Sequence, residues 1–129
     1  MLALLTGVML AQLNLPPAEP VRLEGRCTYP PAVAAEVENA TLVQCGEAVL
    51  REDGIAFASR GFAPSIRFVG GWNGNELDLH HVARRGRDRA DAARGWCRLQ
   101  YRGEDVSAIV CTAVAGPRSY LANFIVPNI

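Results

Sequence analysis

The sequence contains no lysine, and all thirteen of its basic residues are arginines. Thirteen acidic residues balance them, so the formal net charge at pH 7 is zero. A chain without net charge has no whole-molecule field that would draw in nucleic acid or an anionic membrane. The absence of lysine, in a chain rich in Ala, Gly, Val and Leu, is typical of a GC-rich genome, and we expect a bacterial source.

Motifs of several enzyme classes are also missing. No serine lies in a G-x-S-x-G elbow, and only two histidines are available as a base, which argues against a hydrolytic triad. There is no C-x-x-C redox pair, and the cysteines lie much further apart than the about two to four residues usual for zinc. We therefore predict a non-catalytic protein without a cofactor.

The first fifteen residues, MLALLTGVMLAQLNL, carry no charged side chain and are almost wholly apolar. This length fits the apolar region of a secretory signal better than a transmembrane helix, which needs about twenty residues. We interpret residues 1–18 as a signal peptide and residues 19–129 as a single β-domain that is periplasmic or secreted, with no transmembrane span in the mature chain. A retained anchor and a packed N-terminal helix are the alternatives, because the usual charged start and a clear cleavage site are missing.

Four cysteines remain in the expected mature chain, at Cys27, Cys45, Cys97 and Cys111. In a small exported domain an even number of cysteines indicates disulfides. We predict two, and nearest-neighbour pairing is the simplest of the possible schemes. Each crosslink would contribute on the order of 3 kcal/mol by restricting the unfolded chain.

Short segments with β-strand patterns, separated by turn residues, fill the chain after residue 19. Asp53-Gly54 predicts a hairpin whose two central residues both have positive φ, and Asn73-Gly74 indicates another turn. Residues 84–95 predict either a hairpin tip at Gly86 or one to two helical turns. We expect an all-β fold, a small antiparallel barrel or sandwich of about eight strands, with an OB-like barrel carrying one short helix as the alternative.

The segment GWCRLQYRGEDVSAIVC, residues 95–111, contains a conflict of register. If Cys97 and Cys111 face each other, the loop must have three residues. A two-residue Gly103-Glu104 turn instead places Cys97 opposite Val110. A β-bulge would reconcile the turn with the disulfide, and we predict that the disulfide forms.

One strand pattern carries candidate catalytic or metal-binding residues. Alternation places Glu76, Asp78 and His80 on one face of a strand and His81 on the inner face. Asp78 and His80 could ligate a metal, or a carboxylate and an imidazole could act as acid and base. Either use needs a further ligand or partner that the sequence does not identify, so a solvated face is the favoured interpretation.

Two features suggest binding. The arginines are concentrated at Arg84, Arg85, Arg87, Arg89 and Arg94. Guanidinium groups bind phosphates and carboxylates, although a solvated loop is the default for such a run. Trp72, in a loop rich in glycine and asparagine, predicts an exposed anchor, with packing over the core as the alternative.

Three functions follow from these features. The first is a non-catalytic exported domain that binds an unknown protein or cell-envelope component, and no nucleic acid, through Trp72 and the arginine loop. The second is a small enzyme that uses the face of Glu76, Asp78 and His80. The third is an inhibitor of an extracellular enzyme, since rigid crosslinked domains present stiff loops.

Overall fold

The structure is a computed structural model that describes residues 19–32 and 39–127. The predicted signal peptide, residues 1–18, lies outside the described residues. Within those residues only Pro31 and Ala32 are helical, and no helix has the length and apolar character needed to cross a bilayer. The strands are β1 (Val21–Glu24), β2 (Arg26–Cys27), β3 (Ala40–Leu42), β4 (Glu47–Arg51), β5 (Gly54–Ala58), β6 (Ile66–Asn73), β7 (Glu76–Arg84), β8 (Asp91–Ala92), β9 (Arg94–Arg102), β10 (Asp105–Ala115) and β11 (Arg118–Ile125).

These strands form one hydrogen-bonded sheet in the order β1-β4-β5-β6-β7-β9-β10-β11-β2. Two short strands lie beside this path, β3 on β11 and β8 on β7. Only the β3–β11 pair is parallel among the described strands. The all-β, mainly antiparallel prediction is confirmed. The closed barrel or sandwich of about eight strands, and the OB-like barrel, are wrong, because the sheet is open and has eleven strands.

Part of this difference arises at Gly25. The segment VRLEGRCTY, residues 21–29, alternates apolar and polar residues and predicts one strand, but the structure divides it in two. β1 pairs with β4, whereas β2, one residue later, pairs with β11 at the other end of the order. A side chain at Gly25 would collide with the Ile125 carbonyl oxygen and the Phe124 ring. Glycine therefore lets the chain pass close to β11 as it changes partner.

The antiparallel connections define two ends of the sheet. The hairpin end comprises the two-residue turns 52–53, 74–75 and 103–104. The arginine end comprises the connections 59–65, 85–90 and 116–117. Successive antiparallel strands reverse direction, so these two sets of connections lie at opposite ends of the same strands.

The hairpin predicted at Asp53-Gly54 is present, but its turn is displaced by one residue. Arg51 pairs with Gly54, so the central residues are Glu52 and Asp53. No described residue other than glycine has a positive φ, so the predicted turn with two positive φ values is wrong. Gly54 is instead required inside β5, because a side chain there would collide with the Phe68 carbonyl oxygen on β6.

The hairpin between β9 and β10 contains both the short turn and the disulfide. Arg102 pairs with Asp105 across a Gly103-Glu104 turn, and Gly103 has φ 64°. The register shifts at Ser107, the bulged residue between Val106 and Ala108, so that Cys97 pairs directly with Cys111. The predicted bulge and disulfide are both confirmed.

The second disulfide joins Cys27 in β2 to Cys45, with their Cα atoms 5.0 Å apart. Nearest-neighbour pairing is therefore correct. Both disulfides belong to one apolar core, in which the Phe57 ring lies 5.8 Å from that of Phe68 and 6.1 Å from that of Phe124, measured between centroids. β5 and β6 are neighbours, but β11 lies four places beyond β6 in the strand order, so the sheet must curve to bring the Phe124 ring to the other two.

Candidate functional site

The two ends of the sheet carry opposite charge. The turns of the hairpin end contain Glu52, Asp53 and Glu104 and no basic residue. The connections of the arginine end contain Arg60, Arg85, Arg87 and Arg89, with Asp88 as their only acidic residue. A molecule with zero formal charge thus presents one cationic end.

The connection 85–90 holds its arginines on an anchored backbone. The Arg85 amide donates to the Ser65 carbonyl at 3.0 Å, and the Arg87 amide donates to the Arg84 carbonyl at 3.2 Å. Gly86 turns the chain with φ 82°, so the predicted hairpin tip is correct and the helical alternative is wrong. The side chains of Arg85, Arg87 and Arg89 are exposed. Among the described residues, none of these three forms an ion pair.

Arg84 differs from the other arginines of this cluster. It ends β7, and its side chain is only 20% exposed. One guanidinium nitrogen lies 3.9 Å from an Asp91 carboxylate oxygen, and the guanidinium carbon lies 6.0 Å from the centroid of the Tyr120 ring. Arg94, at the start of β9, is exposed like the three arginines of the connection 85–90. The structure therefore divides the predicted cluster into four exposed arginines and one, Arg84, that lies between strands.

The arginine end also exposes apolar side chains. Phe62, in the connection 59–65, is 67% exposed, and Val114, near the end of β10, is 55% exposed.

Trp72 lies in β6 rather than in the predicted loop, packs against the core and donates its indole N–H to the Arg51 carbonyl at 2.8 Å. Its position agrees with the alternative in which it covers the core, and Phe62 is the more exposed aromatic residue.

The predicted acidic and histidine face lies on β7. Glu76 binds Arg98 at 3.1 Å, whereas Asp78 and His80 are exposed. No group of three or more potential metal ligands occurs within the part of the chain that the structure describes.

His81 is exposed, so its predicted inward orientation is wrong. The cause is a bulge: Val69 pairs with His81 but Gly70 pairs with Leu79, which leaves His80 as the extra residue of β7. One extra residue reverses the alternation beyond it, and the fully buried Val82 takes the inner position.

A cavity of about 350 Å³ opens at the arginine end. One wall is formed by β3, the residues after it and the start of β11, and the other by the connection 59–65, the start of β6 and the end of β7. Its lining residues are Thr41, Leu42, Val43, Gln44, Ser59, Ser65, Ile66, Arg84, Arg118 and Tyr120.

Sequence reasoning found Arg84 but missed Tyr120, Arg118 and Phe62. Tyr120 lies in an apolar strand pattern that predicts burial and nothing else. Phe62 lies in a connection without a recognisable motif. No local pattern relates Arg84 to Tyr120, because curvature of the sheet places them together.

Comparison with known proteins finds no matching family model, no matching curated protein and no matching solved structure.

Proposed function

We propose that this chain is an exported, non-catalytic binding domain that attaches through its arginine end to an anionic cell-envelope surface. The observation that carries the proposal is the presence of three exposed arginines and an exposed phenylalanine at one end of a molecule with zero formal charge. Export is supported by the two disulfides, which persist in oxidising compartments.

The combination of charge and apolar exposure favours an anionic lipid surface. Arginines near such a surface contribute about 1 kcal/mol each, and an adjacent aromatic side chain adds apolar burial at the interface. Arg85, Arg87 and Arg89 would face the headgroups, and Phe62 would enter the boundary between headgroups and acyl chains. The acidic hairpin end would point away from the surface.

Sedimentation with phosphatidylglycerol-containing vesicles tests the proposal, with pure phosphatidylcholine vesicles as the reference. The triple variant Arg85→Gln/Arg87→Gln/Arg89→Gln should bind about a hundredfold more weakly, because three contributions of about 1 kcal/mol are lost. The matched control is Arg26→Gln/Arg51→Gln/Arg102→Gln, which removes the same charge from exposed positions near the hairpin end. Equal losses in the two triple variants would refute an oriented site.

The aromatic contribution has its own pair of variants. Phe62→Ser should weaken vesicle binding, whereas Tyr101→Ser, at an aromatic residue that is 49% exposed near the hairpin end, should leave it unchanged. Equal effects of the two substitutions would contradict insertion of Phe62.

A further inference from the structure

The cavity at the arginine end lies between strands that are not neighbours in the sheet. Arg84 ends β7 and Tyr120 belongs to β11, and β9 and β10 separate these two strands in the order. The cavity is therefore a product of sheet curvature and not of a single hairpin. Its walls combine the apolar side chains of Leu42, Val43 and Ile66 with the ring of Tyr120.

Two polar atoms of its lining residues are buried without a hydrogen-bond partner among the described residues. They are the Arg84 Nε and the Tyr120 hydroxyl, and Tyr120 as a whole is only 3% exposed. Leaving a buried donor unpaired is unfavourable, because the donor has lost its hydrogen bonds to water. Buried polar groups are almost always paired with protein or with water. Both of these atoms belong to residues that line the cavity, so a molecule bound there can supply the acceptor that each lacks.

The charge of the cavity specifies the acceptor. No acidic residue is among the described lining residues, which include Arg84 and Arg118. Asp91 lies 3.9 Å from Arg84 and offsets part of its charge, whereas Arg118 is exposed and has no ion pair within the described part of the chain. The charges of these two arginines and one aspartate together favour a ligand with a single negative charge over a phosphate dianion.

We infer that this cavity binds a small monocarboxylate that carries a compact apolar group. The carboxylate accepts hydrogen bonds from the Tyr120 hydroxyl and the Arg84 Nε, and Arg118 attracts it electrostatically. The apolar group contacts Leu42 and Ile66. The inference goes beyond the proposed function, since it requires the cavity and not the exposed arginines or Phe62.

The direct test is a titration of the full chain, with its disulfides intact, followed by ¹H–¹⁵N spectra. The probe is benzoate, the neutral reference is benzamide, and inorganic phosphate is the dianion reference. Benzoate should shift the amide signals of Thr41, Arg84 and Tyr120 in a saturable way and bind at least tenfold more tightly than either reference. Absence of saturation by benzoate, or tighter binding of phosphate, would overturn the assignment.

Tyr120→Phe separates a ligand-binding hydroxyl from a structural one. It should weaken benzoate binding about tenfold, since one hydrogen bond to a charged group is lost. Without benzoate this substitution should not lower the melting temperature, because the hydroxyl forms no hydrogen bond with any described residue. Tyr101→Phe is the control for both measurements. Unchanged benzoate binding, or a lowered melting temperature without benzoate, would refute the assigned role of this hydroxyl.

Arg118→Gln provides a second variant at an exposed position that does not threaten folding. It should weaken benzoate binding about threefold, the size expected for a partly screened charge. The triple variant of Arg85, Arg87 and Arg89 should bind benzoate normally, and Tyr120→Phe should bind vesicles normally. These results distinguish a failure of the carboxylate-site inference from a failure of the proposed membrane attachment. Loss of benzoate binding in the triple variant would contradict binding of benzoate in the cavity.

Discussion

The hairpin end and the arginine end terminate the same antiparallel strands, yet their connections differ in length and content. Each turn of the hairpin end has two residues, enough only to reverse the chain. Two of the three connections of the arginine end are longer, and they hold exposed arginines, Phe62 and part of the cavity wall. The comparison indicates that the hairpin end holds the strands in register, whereas the arginine end carries groups available to other molecules.

The largest expected effect comes from a change that weakens both ends together. Cys97→Ser/Cys111→Ser removes the crosslink between β9 and β10, two central strands that reach both ends. The free energy of unfolding should fall by about 2–5 kcal/mol, because the unfolded chain gains freedom. Urea denaturation of the oxidised protein and the variant measures this loss, and a decrease of less than about 1 kcal/mol would contradict it.

Glycine substitutions test whether the two ends differ in tolerance. Gly54→Ala should lower the free energy of unfolding by about 3 kcal/mol, because a methyl group there collides with the Phe68 carbonyl. Gly86→Ala, in the connection 85–90, should cost only about 1–2 kcal/mol, since the added methyl meets no neighbour and only the positive φ is strained. Denaturant unfolding of both variants measures these losses. A larger loss of unfolding free energy in Gly86→Ala than in Gly54→Ala would contradict the expected difference between the two ends.

Tyr29 provides a contrast with Tyr120, the tyrosine of the arginine-end cavity. The Tyr29 hydroxyl lies within hydrogen-bonding distance of two carbonyl oxygens, 2.6 Å from that of Val43 and 2.9 Å from that of Leu121. Tyr29→Phe should therefore lower the free energy of unfolding by about 1–2 kcal/mol. Tyr120→Phe serves as the matched variant, and an equal loss in both would mean that the Tyr120 hydroxyl is also bonded within the protein.

Alkaline pH should weaken the same contact. Burial raises the pKa of the Tyr29 phenol, and the hydrogen bond that its oxygen accepts from the Asn123 amide offsets this only in part. The folded state therefore favours the neutral phenol, and its contribution to stability is complete below the unfolded pKa of about 10 and is lost as pH rises through the higher folded pKa. The free energy of unfolding is measured below and above pH 10 for the unsubstituted protein and for Tyr29→Phe. The difference between the two proteins should shrink at high pH, and a difference that grows would contradict the raised pKa.

The smallest expected difference concerns surface ion pairs. Arg98 binds Glu76 at 3.1 Å and lies 3.8 Å from the centroid of the Trp96 ring. Arg98→Gln should cost about 1 kcal/mol of unfolding free energy, and less in high salt. Arg60→Gln should cost less than about 0.5 kcal/mol, because Arg60 and Glu24 are both largely exposed at 3.3 Å. Equal costs in low salt would show that stacking on Trp96 adds nothing.

Several local features follow from sequence patterns alone. The segment SYLANFIV, residues 119–126, has apolar residues on both faces. This pattern predicts a strand that is central or closes a barrel, and whose Asn123 needs a partner. In the structure β10 lies on one side of β11, β2 and β3 lie on the other, and the Asn123 amide donates to the Thr28 carbonyl at 3.0 Å. Such predictions succeed because alternation and turn residues act over a few neighbouring positions.

Errors of prediction arise where a single residue changes the register or the partner of a strand. The extra residue His80 reverses the orientation of His81, and Gly25 sends two parts of one predicted strand to different neighbours. Whether such a residue forms a bulge or interrupts a strand depends on the neighbouring strands, and these come from distant parts of the chain. The bulge at Ser107 was predictable only because the turn and the two cysteines set conflicting registers.

The sequence by itself determined the all-β class, the disulfide pairing as the simplest scheme and the presence of an arginine-rich connection, since each depends on neighbouring residues or on the number and spacing of cysteines. Only the tertiary structure decided that the sheet is open with eleven strands, that Arg84 leaves the exposed cluster and that Tyr120 shares a cavity with it. Curvature joins residues that are far apart in the chain, and no local pattern specifies which of them will meet.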